Sequence, residues 1–201
     1  MPNTRIYLEL GKTWVFASAL DWPGWCRRGK GEEAALEALS AYAERYARVV
    51  AGDFAAGRLD VVSRVPGSAT TDFGAPGAPA PDDDQPLPAA EAERLGQLLQ
   101  RCWAAFDEAA RKASEQLRKG PRGGGRDKAA VVDHVREAER NYARTIGLKL
   151  PPGTAWTEQR AAVLGALGTS GATGAWPPRY AVRRLAWHVL DHAWELEDKS
   201  L

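Results

Sequence analysis

Residues 183–199, RRLAWHVLDHAWELEDK, hold two of the chain's three histidines and decide how its second half is read. Leu185, His188, Val189, His192 and Leu196 recur at three- and four-residue steps, the period of an amphipathic α-helix. Pro177 or Pro178 suits the first turn, where an amide N–H is not needed, and the helix runs to about Asp198. A four-residue step rotates a helix by only about 40° and advances it about 6 Å, so both imidazoles share the apolar stripe.

Three more helices are expected upstream. From Ala89, the stretch AAEAERLGQLLQRCWAAFDEAARKASEQLRK repeats Leu95, Leu98 or Leu99, Cys102, Phe106, Ala109 or Ala110 and Leu117 along one stripe, until GPRGGGR breaks it. Asp127 is a fair N-cap for a second helix to about Ile146, stopped by Gly147 and Pro151-Pro152. A shorter third helix covers about 156–168. Four amphipathic helices with short or moderate connections predict a four-helix bundle over residues 88–201.

The third histidine belongs to the second of these helices, where Val131, His134, Val135, Ala138, Tyr142 and Ile146 form the inward stripe. His134, His188 and His192 therefore all fall on inward faces of one bundle. Hydrogen-bonded core histidines make the same pattern, but the concentration of every histidine there favours a metal site. Two imidazoles four apart and one from a neighbouring helix leave open positions, as a catalytic zinc or nickel ion requires. Glu195, three residues after His192, is placed to orient that ring or to act as a catalytic base; it also suits a surface pair with Lys199. Arg144 and Arg184 have the fork that binds a carboxylate, although solvated helix faces carry such arginines as well. Tyr142 is expected to line a cavity, Trp187 and Trp194 to pack, and Asp191 to point elsewhere.

The first third alternates instead. Ile6, Leu8 and Leu10 share one face, and Trp14, Phe16, Ser18 and Leu20 share another across a two-residue turn at Gly11-Lys12. DWPGWCRRGKG breaks regular structure, EEAALEALSAYAERYARVV makes one helix, and RLDVVSRV returns as a third strand. Residues 1–66 thus predict a β-β-α-β domain. Residues 67–87 are dense in Pro, Gly, Ala and Asp without apolar period and are expected to be a linker or surface excursion, its DDD run solvated.

Composition adds boundaries. The 201 residues are 44% hydrophobic and 26% charged, and the net charge is +1, which gives no electrostatic footprint for nucleic acid or a membrane surface. No apolar run approaches the roughly 18–20 residues that span a bilayer. The opening MPNTRIYLEL has no secretory pattern, and two distant cysteines make no disulfide framework; both predict a cytoplasmic protein. Cys26 is a candidate reactive thiol with no visible means of activation.

HVREAERNYARTIG together with WHVLDHAWELED resembles the DinB-like family of metal-dependent four-helix bundles over about residues 88–201. The resemblance implies that His134, His188 and His192 bind a divalent metal, zinc or nickel. It also implies a transferase or isomerase that uses a low-molecular-weight thiol such as mycothiol or bacillithiol. A metal-dependent hydrolase or self-resistance protein, and a non-catalytic protein binding a small molecule or partner, are the alternatives. More weakly, Pro23-Gly24, Gly29 and Glu32-Glu33-Ala34 resemble the N-terminal module of HicB-type antitoxins, with Trp25 where cysteine is usual. No DNA-binding segment follows, so a scaffolding, dimerising or lid role is expected, and with it a homodimer. The expectation is an α+β chain, a small N-terminal domain followed by a DinB-like bundle, acting on a small-molecule substrate without nucleic acid or membrane.

Overall fold

The structure is a computed structural model that describes residues 3–52, 54–120, 124–168 and 174–201. It is mixed α+β, a four-stranded sheet followed by helices. Strands β1 (Asn3–Leu10), β2 (Val15–Ala19), β3 (Cys26–Gly29) and β4 (Arg58–Pro66) lie in the order β3-β2-β1-β4. β1 and β2 pair antiparallel from Ile6 opposite Ala19 to Leu10 opposite Val15, so the turn holds residues 11–14 and is longer than expected. It is closed by Gly11 N–H donating to Trp14 O at 2.9 Å. β3 extends the hairpin antiparallel, and β4 returns parallel to β1.

Two expectations are corrected here. DWPGWCRRGKG is not wholly irregular, because after Pro23-Gly24 the chain re-enters the sheet as β3. Gly29 permits this: a Cβ there would lie 2.3 Å from the backbone of Ala34 and Ala35. The long helix is two, α1 (Glu32–Ala41) and α2 (Ala43–Val50), broken where Tyr42 leaves helical geometry at φ −94°, ψ 0°. Glu32 and Glu33 lie in the first turn of α1, where the helix dipole favours negative charge.

One sheet face, with Ile6, Leu8, Ala17 and Ala19, is buried with Ala35, Leu39, Tyr46 and Val50 of α1 and α2. Trp25 has no exposed surface, donates its indole N–H to Leu39 O at 2.9 Å and stacks on Tyr46. The opposite face is buried too. Phe16 meets Trp187 edge to face at 6.0 Å, and Tyr7 packs with Leu20 and Ala80.

Residues 67–87, expected to be a linker or a surface excursion, form a strap across that second face. Ser68 caps a short helix, α3 (Ala69–Phe73), and a 3-10 turn covers Pro81–Asp84. The fully buried carboxylate of Glu9 accepts from Gly77 N–H at 2.9 Å, Ala78 N–H at 3.0 Å and the Thr71 hydroxyl. The acidic run is not simply solvated: Asp83 is buried, accepts from Ala80 N–H at 2.7 Å and pairs with Arg183. Sequence-local composition hid this, because the partners lie 68 and 100 residues away.

The remaining helices are α4 (Ala89–Lys112), α5 (Lys128–Thr145), α6 (Trp156–Gly168) and α7 (Pro178–Lys199). α4 and α5 each pack against both α6 and α7. α4 ends at Lys112, earlier than its apolar stripe suggested, and Leu117 instead bridges to Ser200. One continuous core joins Ile6, Leu8, Trp25 and Leu39 to Leu99, Phe106, Leu185 and Leu190. Gly24 makes the join close, since a Cβ there would stand 2.8 Å from Leu190 Cδ1 and 3.3 Å from Ala186. Among the described residues, no helix is long and apolar enough to cross a membrane.

Candidate metal centre

α7 is buried along most of its length, and its third and fourth turns present His188 and His192 toward α5. From α5, His134 completes the group. The three rings lie with centroids 4.7–5.1 Å apart. His188 Nε2 faces His134 Nε2 at 3.2 Å, and one ligand nitrogen from each ring lies within 4.8 Å of the others. At metal–nitrogen bonds of about 2.0–2.1 Å, adjacent nitrogens of a coordination shell stand roughly 2.9–3.4 Å apart. The His134–His188 separation fits that edge, and the third ring needs roughly 1.5–2 Å of adjustment to join it.

His192 is held in the tautomer such a site uses. Its Nδ1 stands 2.7 Å from Glu195 Oε2, so Nδ1–H donates to the carboxylate and Nε2 is left as the nitrogen a metal would take. Lys199 binds the other oxygen, Oε1, at 2.6 Å. Both alternatives read for Glu195 thus hold at once: it orients a histidine and pairs with Lys199. His192 and Lys199 together hold the Glu195 carboxyl down to about 2. His188 is only 5% exposed, and its Nδ1 has no hydrogen-bond partner among the described residues.

Burial, then the charges of His192 and Arg184, hold His188 well below the ordinary imidazole range; burial and His192 also lower His134. Both rings are therefore neutral, with lone pairs available, at neutral pH. The unfolded chain protonates such rings near pH 6.5, whereas the folded chain resists until lower pH. Their burial carries no proton-linked cost above about pH 6.5; the cost grows as pH falls below it and levels off beneath the folded values. Chelator-treated protein is expected to melt at lower temperature at about pH 5.5 than at about pH 7.5, and His188→Ala to flatten that difference. An undiminished difference in the variant would assign it to other groups.

Of the other residues singled out, Tyr142 stands edge-on to His188 at 5.5 Å. Arg184 lies over the Tyr142 ring at 5.0 Å and the Trp187 ring at 4.6 Å. Arg144 is exposed, bonds Asn141 at 3.3 Å and is not brought to the histidines. Asp191 turns away to Arg27 at 3.0 Å, and Trp194 packs on Tyr42. Cys26 is buried and accepts from the Ser18 hydroxyl at 2.9 Å; burial pushes its thiol up to about 12, which leaves it unreactive at neutral pH. Arg126 was missed: it is exposed, and its charge contributes to the lowering at both His134 and His188, which no local pattern reveals. No family model matches the chain, and neither does any curated protein or solved structure.

Proposed function

We propose that this chain is a metal-binding protein of the DinB-like kind, in which His134, His188 and His192 hold a divalent ion, zinc or nickel. The observation that carries the reading is the convergence of three imidazoles, two with Nε2 atoms 3.2 Å apart. The pairwise packing of α4, α5, α6 and α7 is what a four-helix bundle requires. Bound there, such an ion lowers the pKa of a thiol or water and polarises an electrophile.

The finer reading is a transferase or isomerase using a low-molecular-weight thiol, such as mycothiol, in the cytoplasm. Glu195 supports thiol over water. Its two oxygens are engaged by His192 and Lys199, so it positions a ring and is not free to take a proton from water. A thiol, with a pKa of about 8.5, needs far less help to ionise than water at about 15.7. Tyr142 supplies a wall beside His188, and the two partly exposed rings, His134 and His192, mark the open side.

Cobalt(II)-loaded protein tests this. It is expected to take up one ion per chain and to develop a sulfur-to-cobalt charge-transfer band when a low-molecular-weight thiol is added. An unmoved spectrum with metal retained would transfer the reading to hydrolysis, and failure to retain metal would end it. Glu195→Gln is expected to weaken zinc binding by about 10–100-fold in chelator competition, with the fold unchanged. Wild-type affinity in that variant would reduce Glu195 to a surface pair.

A further inference from the structure

Arg184 is 8% exposed and hydrogen-bonds the Tyr142 hydroxyl, yet among the described residues no carboxylate pairs with it, and its buried Nη1 has no hydrogen-bond partner. A buried guanidinium without a counter-ion is costly, and its neighbour has one: Arg183, 6% exposed, pairs with Asp83, although its Nε is likewise without a partner. Arg184 is also held in place, between the Tyr142 ring at 5.0 Å and the Trp187 ring at 4.6 Å. It lies one helical turn before His188 on α7, and Tyr142, which it covers, is edge-on to that same histidine. On the sheet side it borders a cavity of about 10 Å³, with Tyr7, Cys26 and Tyr180 among its walls. That is room for about one water molecule and too little for a carboxylate, so the proposed ligand is placed on the histidine side.

We infer that Arg184 is a carboxylate-binding group for the substrate of the histidine site, which makes that substrate a small monoanionic acid with its reacting end one helical turn, about 6 Å, from its carboxylate. The inference rests on the metal-site reading for where the reacting end lies, but not for the anion contact itself. One guanidinium, whose neighbour's charge is already matched, suits one negative charge, and its planar fork fits a carboxylate with two parallel N–H donors. The flanking rings leave the apolar body of the acid a surface to lie on.

Two measurements separate the parts. In chelator-treated protein, butyrate is expected to raise the melting temperature and uncharged butyramide is not; Arg184→Gln abolishes the difference and Arg184→Lys keeps some of it. In zinc-loaded protein, succinic monohydroxamate, which carries a carboxylate behind its metal-binding end, is expected to bind about 10–100-fold more tightly than acetohydroxamate. Arg184→Gln brings the two to equal affinity without weakening acetohydroxamate. Butyrate stabilisation in protein that takes up no zinc would end the metal reading and leave the anion contact standing. No butyrate effect, or a preference for succinic monohydroxamate that survives Arg184→Gln, would overturn the assignment.

Discussion

Replacing His188 by alanine is expected to weaken zinc binding by more than about 100-fold while leaving the chain folded. Loss of a group that merely orients a ligand already costs about 10–100-fold, and His188 would be a ligand itself, the one deepest in the site. The two effects part because of what the imidazole does for the fold. Truncation leaves a small cavity, but it also removes a buried Nδ1 that has no partner, and these oppose each other. The net change in stability of chelator-treated protein is expected within about 1 kcal/mol, readable in a denaturant titration. Elemental analysis of wild type beside the variant checks the binding. Equal, negligible metal in both would show the three histidines to be a hydrogen-bonded core cluster.

The largest loss of stability is expected outside the histidine cluster, at Asp83→Ala. Asp83 and Arg183 have side chains with 0% and 7% exposure, so removing the carboxylate strands a guanidinium in the interior. Breaking a buried pair in this way costs about 3–5 kcal/mol. The variant also frees Ala80 N–H and unpins the strap. For a chain of this length the melting temperature should fall by roughly 6–20 °C. A double variant, Asp83→Leu with Arg183→Met, is expected to recover much of the loss, since apolar isosteres of a buried pair are often neutral or stabilising. A fall of under 1 °C for Asp83→Ala would show that water already reaches the pair.

The pattern of α7 was legible because helix periodicity is local: five residues at three- and four-residue steps place two histidines on one face. The same logic put His134 inside α5, and the rings do meet. Arg184 and Arg144 looked alike in sequence, each an arginine on a bundle helix. Only packing separated them, one clamped between Tyr142 and Trp187, the other in solvent. The strap was illegible for the opposite reason to α7. Its order comes from Glu9 and Arg183, partners far off in sequence, and a Pro- and Gly-rich stretch with distant anchors reads like one with none. β3 was missed because four residues, CRRG, offer no alternation to count.

The packing of Gly24 against Ala186 and Leu190, and of Phe16 against Trp187, has a consequence for descent. The helix that carries two of the histidines is also a wall of the N-terminal sheet, so neither half of this gene can be exchanged without exposing the other. Substitutions at Phe16, Gly24, Ala186, Trp187 and Leu190 are then expected to travel together through a lineage. The N-terminal sheet is part of the foundation on which the histidine helix rests.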